Sequence, residues 1–201
     1  MKTKGFLQEL KPSLMLPLVC ITSVSLADGS GKDDGGFNKL LTLEGISFHV
    51  VCPNQGSLNQ LTITPDGLEI DNSAIRQEIN GSVTDAEVAD LNADGSPELY
   101  VYVTSAGSGS YGELIAYSAN NKKSLSGIYL PPLTEDRKNS QGYMGHDDFA
   151  IVENRLIRRF PVYKAKDANA NPSGGTRELY YKLVPGEAGW LLKLDKRVSY
   201  D

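Results

Sequence analysis

The sequence predicts an all-β protein: an antiparallel β-sandwich or flattened barrel of about eight strands, with at most one or two short helices. Apolar and polar residues alternate in short runs, as they do in strands that bury one face. Turn residues such as Pro65-Asp66-Gly67 interrupt these runs at short spacing. Twenty Gly and ten Tyr, against five Phe and one Trp, favour aromatic strand faces joined by tight turns.

The predicted strands follow one another along most of the chain. The clearest run is 99–104, in which Leu and Val alternate with Tyr and Thr. The segment 72–79 is ambiguous and is considered as a short helix. The alternating runs lie at residues 46–50, 61–64, 68–70, 99–104, 114–117, 149–152, 156–157, 179–184 and 190–194. Residues 44–201 are therefore predicted to form a single β domain.

The first 27 residues have the pattern of a secretory signal peptide. A Lys-containing start precedes the apolar run 14–21, and Ser25-Leu26-Ala27 supplies small residues for cleavage. The apolar run is too short to span a membrane as a helix. Residues 28–43 begin with a stretch of Gly, Asp, Ser and Lys, so they are predicted to be a flexible linker.

The charge and the Cys and His content exclude several classes of protein. The formal net charge is −5, from 20 Lys and Arg against 25 Asp and Glu, and it becomes −7 when the signal peptide leaves with three Lys and one Glu. An acidic chain argues against nucleic-acid binding. Two His and two Cys without metal-ligand spacing argue against a zinc site. Cleavage removes Cys20, and Cys52 is predicted to be buried, with an intermolecular disulfide as the alternative.

One acidic loop has the residue types of a calcium site. Asp90, Asn92 and Asp94 stand at alternate positions before a Gly, and oxygen ligands at this spacing can converge on a hard cation. In an EF-hand the twelfth loop position must be acidic, but counted from Asp90 that position is Val101. Glu98 is therefore the candidate for the later ligand. The other interpretation is an Asx-rich turn without a metal. A periplasmic calcium-binding β-module is therefore the alternative function.

The Ser-rich and Gly-rich loop 105–112 joins two predicted strands and is weighed as a nucleophile site. Ser108 stands where a G-x-S-x-G elbow around Ser110 needs its first Gly, and the strand–helix context is missing. The candidate base, His146, is followed by Asp147, and neighbours on an extended chain point to opposite faces. No catalytic residue is therefore assigned, and no enzymatic activity is expected.

A second polar loop, at residues 140–149, contains Tyr143, Met144 and His146. Aromatic residues mixed with polar ones are typical of binding loops. The simpler interpretation is a structural loop held by a hydrogen-bonded His and capping Asp residues. Arg158 and Arg159 are expected to be solvated charges on a strand.

Several blocks of sequence, taken in order, resemble the periplasmic inhibitors of invertebrate-type (I-type) lysozyme. Ser108-Gly109-Ser110-Tyr111 matches the S-G-x-Y loop of bacterial lysozyme inhibitors, a motif that inhibitors of chicken-type lysozyme share. The fuller blocks point to the I-type inhibitors, and they lie at residues 90–112, 124–133, 141–147, 159–163 and 185–190. The resemblance extends over most of the predicted domain.

This resemblance implies a β-sandwich in the periplasm of a Gram-negative bacterium that inhibits I-type lysozyme and catalyses no reaction. It implies that the Ser108–Tyr111 loop enters the substrate cleft of the lysozyme. There the hydroxyls of Ser108 and Tyr111 would bond to the catalytic carboxyls. The second polar loop would make flanking contacts. A homodimer is expected, with no metal, cofactor, nucleic acid or membrane as partner.

Overall fold

The computed structural model describes residues 35–201, and nearly all of their regular structure is β-strand. The strands are β1 (Phe37–Leu43), β2 (Ile46–Cys52), β3 (Leu58–Asp66), β4 (Ile75–Asn80), β5 (Ser82–Ala89), β6 (Glu98–Thr104), β7 (Gly112–Asn120), β8 (Ser124–Tyr129), β9 (Asp148–Val152), β10 (Arg155–Pro161), β11 (Thr176–Pro185) and β12 (Trp190–Tyr200). One short 3-10 helix, Leu133–Glu135, follows β8. The predicted all-β class is confirmed. None of the helical structure in the described part of the chain is long and apolar enough to cross a membrane.

The strands form two sheets. Strands β1 to β4 make an antiparallel sheet in chain order, and the other eight follow the order β5-β6-β7-β8-β12-β11-β10-β9. Neighbours in this larger sheet run antiparallel, except that β8 and β12 run parallel over two residue pairs. The larger sheet nearly closes into a barrel, because its outer strands β5 and β9 approach each other. Across this gap the backbone N–H of Ile151 donates to Oε2 of Glu87 at 2.9 Å.

Strand β6 is buried on both faces because it lies between two cores. Leu99, Val101 and Val103 pack in the first core, between the four-stranded sheet and the larger sheet. Tyr100 and Tyr102, on the opposite face of the strand, pack in the second core inside the barrel-like sheet. The alternation at 99–104 therefore separates two apolar environments rather than a core from solvent.

The last part of the predicted linker 28–43 is a strand, so the linker boundary is corrected. Strand β1 pairs with β2 over its whole length, from Phe37 opposite Cys52 to Leu43 opposite Ile46. Its residues alternate between half-buried and exposed, and Leu40 is 68% exposed. An edge strand without a fully buried side chain has a weak sequence pattern. The signal-peptide prediction for residues 1–27 and the linker start at 28–34 lie outside the described residues.

The twelve strands exceed the predicted number of about eight, because strands with many polar or irregularly paired residues lack a clear alternating pattern. Strand β4 occupies the segment considered as a short helix, and its Arg76 and Glu78 face solvent while Ile79 is buried. Strand β5 carries a register shift between Val83 and Asp85. Such an irregularity breaks the strict two-residue period by which strands are recognised.

Cys52, predicted to be buried, is fully buried in the first core and forms no disulfide within residues 35–201. Its sulfur therefore acts as part of a small apolar side chain there. The other cysteine, Cys20, lies in the part of the chain that is not described.

Strand pairing decides which loops share an end of the barrel-like sheet. The β6–β7 loop, the segment before β9 and the β10–β11 segment lie together at one end, which we call the loop end. The β5–β6 loop lies at the other end, which we call the acidic end. The two ends are about 20–25 Å apart, because a strand rises about 3.3 Å per residue and β6 separates them.

Candidate functional site

The loop at residues 105–111 connects β6 to β7 as a fixed hairpin turn. The backbone N–H of Ser105 donates to the carbonyl of Tyr111 at 2.8 Å, and the N–H of Tyr111 donates back to Oγ of Ser105 at 2.9 Å. Inside the turn, Ser110 N–H donates to the carbonyl of Gly107 at 3.2 Å. Gly107 and Ser110 have φ of 127° and 43°. A left-handed Ser persists only where its surroundings hold it there.

The tip of this loop presents hydroxyl groups at the surface. Ser108 is exposed, and Tyr111 is 49% exposed. Within residues 35–201, neither the Oγ of Ser108 nor the hydroxyl of Tyr111 has a hydrogen-bond partner, although the backbone of both residues is bonded. These two groups therefore remain available to bond a ligand or a partner.

Gly109 packs closely against the ring of Tyr111. A Cβ at this position would lie 2.4 Å from Cε2 of Tyr111, which is well inside van der Waals contact. The left-handed conformations of the loop fall on Gly107 and Ser110 instead. The absence of a side chain at Gly109 thus leaves room for the Tyr111 ring in its observed position.

The second polar loop backs the first one through its main chain. The N–H of His146, at a φ of 59°, donates to the carbonyls of Gly109 at 3.2 Å and Ser110 at 3.0 Å. A Cβ on Gly145 would lie only 1.9 Å from the carbonyl oxygen of Gly109. The two loops therefore touch backbone to backbone, and this contact requires a Gly.

A third segment, between β10 and β11, holds the first loop from the other side. The side-chain amide of Asn169 donates to the carbonyl of Ser108 at 2.8 Å. Asn169 is itself held, because its own carbonyl accepts a hydrogen bond from the hydroxyl of Tyr163 at 2.9 Å. The tip of the 105–111 loop is thus anchored on both flanks.

The three predicted flanking residues lie beside the first loop but differ in exposure. The ring of Tyr143 contacts Tyr111 edge-on, with centroids 5.7 Å apart, and contacts Phe160 at 4.8 Å. Met144 is 39% exposed. His146 is half-buried, and its Nε2 is a buried atom that finds no hydrogen-bond partner in the described residues. Met144 therefore offers apolar surface, whereas Tyr143 and His146 support the first loop from beneath.

A buried ion pair lies under both loops. Nε of Arg158 donates to Oδ1 of Asp147 at 2.6 Å, and the two side chains are 7% and 0% exposed. Oδ2 of Asp147 accepts from the backbone N–H of Gly112 at 2.7 Å and from the hydroxyl of Tyr143 at 2.6 Å. That hydroxyl in turn accepts from Arg158 at 2.7 Å. The carboxylate thus connects the second loop to the start of β7, where the first loop ends.

The electrostatics of this network favour its charged form. Burial opposes the charge on Arg158, but the charge and the hydrogen bond of Asp147 outweigh it and raise the pKa of the guanidinium above its ordinary value. Burial chiefly raises the pKa of Tyr143. Its hydroxyl therefore stays protonated and donates a hydrogen bond to Asp147. The network therefore has defined donors and acceptors.

The expectation that Arg158 is solvated is wrong. Strand β10 buries alternate positions, so Arg158 falls on the same face as Leu156 and Phe160. That two-residue period was the sequence signal that could have located it. Gly145 and Asn169 carried no such signal, because their roles depend on contacts between loops distant in the sequence.

At the acidic end, the side chains of the predicted calcium loop bond to its own backbone. Oδ1 and Oδ2 of Asp90 accept from the N–H groups of Asp94 at 3.0 Å and Gly95 at 2.8 Å. Oδ1 of Asp94 accepts from Ser96 N–H at 2.8 Å, and its Oδ2 accepts from the amide of Asn92 at 2.8 Å. These bonds are those of an Asx-rich turn, and they leave further lone pairs on both carboxylates.

Glu98, the first residue of β6, is fully buried beneath this turn. Its Oε2 accepts from the backbone N–H of Leu91 at 2.8 Å, whereas its Oε1 has no partner in the part of the chain that the structure describes. One oxygen from each of Asp90, Asp94 and Glu98 lies within 4.8 Å of the others. Burial, with a smaller contribution from the two Asp charges, raises the pKa of Glu98 to about 8.

Comparison with protein-family models gives one match. The family model described as periplasmic lysozyme inhibitor of I-type lysozyme matches residues 73–130, which is 58 of the 201 residues. The match confirms the resemblance over β4 to β8, and it includes both the acidic loop and the Ser108–Tyr111 loop. It ends before the second polar loop. Searches of curated proteins and of solved structures gave no match to the chain.

Proposed function

We propose that this protein is a periplasmic inhibitor of I-type lysozyme and that its Ser108–Tyr111 loop enters the substrate cleft of the lysozyme. The family model carries the first part, because its description names both the periplasm and I-type lysozyme. One structural observation carries the second part. The loop inside the matched segment projects two unbonded hydroxyls, and neighbouring segments hold it from both flanks.

The chemistry of the target fits the groups that the loop presents. Lysozymes cleave glycosidic bonds with a pair of carboxyl groups. A hydroxyl that donates to an ionised carboxylate makes a charge-assisted hydrogen bond, which is stronger than a bond between neutral groups. The Ser108 and Tyr111 hydroxyls are donors of this kind. The ring of Tyr111 adds rigid apolar area at a small cost in conformational entropy.

Preorganisation supports the binding role of the loop. A loop that orders only on binding loses affinity to the entropy of ordering. Here the loop is already fixed by the main chain of His146 and by Asn169, over the buried Asp147–Arg158 pair. The binding energy is therefore not consumed in ordering the tip. In this proposal Met144 adds a flanking contact, while Tyr143 and His146 position the first loop.

The charge of the chain supports fast association with a cationic target. The formal net charge of −5, or −7 without residues 1–27, would attract a lysozyme of positive charge and raise the association rate. In this proposal the chain acts as a stoichiometric partner and has no catalytic residue. The homodimer implied by the resemblance is part of the same proposal, and sedimentation of the exported chain tests it.

An inhibition panel tests the proposed function. The exported chain from Asp28 onward is titrated against lysozymes of invertebrate, chicken and goose type, with lysis of bacterial cell walls as the readout. We expect selective inhibition of the invertebrate type that is complete near one inhibitor per lysozyme. A chain that is folded by circular dichroism and inhibits none of them would leave the family match as a statement about fold alone.

Gly145→Ala tests the support from the second loop. The added Cβ would meet the carbonyl of Gly109, and φ at Gly145 is +90°. We expect the first loop to be displaced and inhibition to fall at least tenfold, since a hydrogen-bonded contact of about 1.4 kcal/mol or more is lost. The measurement is the inhibition constant, together with the melting temperature.

Gly56→Ala is the matched control for this variant. Gly56 has the same φ of +90°, but nothing lies within 4 Å of the position of its Cβ. It therefore reports the cost of backbone strain without a clash. Equal inhibition by the Gly145→Ala and Gly56→Ala variants would show that the second loop does not support the first.

A further inference from the structure

We propose that the acidic end of the barrel-like sheet binds one Ca²⁺ ion through the carboxylates of Asp90, Asp94 and Glu98. The side-chain carbonyl of Asn92, in the same turn, is the candidate fourth protein ligand. The site is separate from the proposed inhibitory loop, because the two lie at opposite ends of β6.

The first observation is the convergence of the three carboxylates. One oxygen of each lies within 4.8 Å of the others although the residues span two structural elements, a turn and the start of β6. Among the ion pairs formed by residues 35–201, none involves Asp90, Asp94 or Glu98. Three acidic groups at this separation repel one another unless a proton or a cation neutralises them.

The second observation is independent of the turn and concerns Glu98. Its side chain is fully buried, and its Oε1 has no hydrogen-bond partner among residues 35–201. A buried carboxylate oxygen without a partner is costly, so such atoms are rare in native proteins. Glu98 shares a face of β6 with Tyr100 and Tyr102, and the hydroxyl of Tyr100 donates only to the other oxygen, Oε2, at 3.5 Å. A cation between Glu98 and the turn would supply the missing partner.

The ligand chemistry favours calcium. Ca²⁺ takes about six to eight oxygen ligands at roughly 2.3–2.6 Å, and carboxylates, amide carbonyls and water all serve. The three carboxylates and the amide of Asn92 are all oxygen donors, and the turn is open to solvent on the side of Asp94. Mg²⁺ requires a smaller, strictly octahedral shell and keeps most of its water. The exported chain would meet Ca²⁺ outside the cytoplasm.

Metal binding to the exported chain is measured directly and through stability. Isothermal titration with CaCl₂ follows removal of metal with a chelator, and thermal melting compares chelator, 1 mM CaCl₂ and 1 mM MgCl₂. We expect one Ca²⁺ per chain and a rise in melting temperature of about 5 °C or more with Ca²⁺, because the ion binds only the folded state. Mg²⁺ should produce a clearly smaller rise.

Two ligand variants and a control decide the location of the ion. Glu98→Gln removes a ligand charge but keeps the acceptor for Leu91 N–H. Asp94→Asn removes a ligand charge at an exposed position and keeps an acceptor for Ser96 N–H, so it serves as the test if the first variant fails to fold. Both should lose the calcium-induced rise. Glu69→Gln, an equal charge change on an exposed residue elsewhere, should keep it.

Three results would overturn the proposal: no calcium binding by the folded parent chain, a calcium-induced rise that survives in both ligand variants, or an equal rise with Mg²⁺. Lysozyme inhibition provides a separate readout, since the Glu98→Gln variant should inhibit as the parent does. Failure of the calcium site and failure of the proposed function are therefore distinguishable.

Discussion

Replacement of Asp147 by Asn is expected to lower the free energy of unfolding by about 3–5 kcal/mol, the cost of leaving a buried charge unpaired. The Asp147 carboxylate is fully buried and accepts three hydrogen bonds, from Arg158 on β10, from Tyr143 in the second loop and from the backbone of Gly112 on β7. Asn keeps the shape but offers only one acceptor oxygen. Its NH₂ group must then face a donor, and Arg158 keeps its charge even without Asp147, because a guanidinium stays protonated in proteins.

The measurement is chemical denaturation of the parent and the variant, with melting temperature as a second readout. The expected fall corresponds to roughly 6–20 °C in melting temperature for a chain of this size. Inhibition should weaken as well, even at temperatures where the variant is folded, because both loops rest on this carboxylate. A second variant, Asp147→Asn with Arg158→Met, removes both charges and should recover part of the lost stability.

The matched control is Asp195→Asn, the same chemical change at an exposed ion pair. Asp195 contacts Arg155 at 2.9 Å and Lys182 at 2.7 Å, and its side chain is 27% exposed. Surface pairs contribute about 0–1 kcal/mol, so this variant should be nearly as stable as the parent. Equal stability of the Asp147→Asn and Asp195→Asn variants would mean that the buried pair is not what holds the two loops.

The sequence could predict the strands that bury a regular apolar face. The run at 99–104 is a strand because its two-residue period is strict, and Cys52 is buried as its apolar neighbours indicated. The pattern could not show that both faces of β6 are buried, since aromatic residues suit a core and a half-exposed face alike. Strand β1 was missed because its partner, β2, supplies the buried residues of that pair.

The candidate site was only partly predictable, because local motifs do not encode contacts between distant segments. The Ser108–Tyr111 loop is recognised from four consecutive residues. Its support comes from Gly145, Asp147 and Asn169, which lie 34 or more positions along the chain from Tyr111. The same limit applies at the acidic end. The alternating turn residues were visible, whereas the unpartnered and fully buried Oε1 of Glu98 is a property of the folded chain.

Truncation of Tyr111 to Ala is expected to weaken inhibition by about 1–3 kcal/mol or more, which is roughly 5-fold to 150-fold in the inhibition constant. The variant loses the hydroxyl that would donate to a catalytic carboxyl and the apolar area of the ring. Folding should be nearly unaffected, because Tyr111 is 49% exposed and its backbone bonds to Ser105 do not need the side chain.

Two further variants, Tyr111→Phe and Val152→Ala, show which part of Tyr111 makes the contact and whether the effect is specific to this loop. Tyr111→Phe keeps the ring against Tyr143 and removes only the hydroxyl, so the loss that it shares with Tyr111→Ala measures the hydrogen bond. Val152→Ala truncates an apolar side chain of similar exposure, 47%, at the opposite end of the barrel-like sheet, and should inhibit as the parent does. If Tyr111→Ala melts and inhibits like Val152→Ala, the inhibitory surface lies elsewhere on the molecule. If Tyr111→Phe inhibits fully while Tyr111→Ala does not, the ring carries the contact and the catalytic carboxyls are engaged by Ser108 alone.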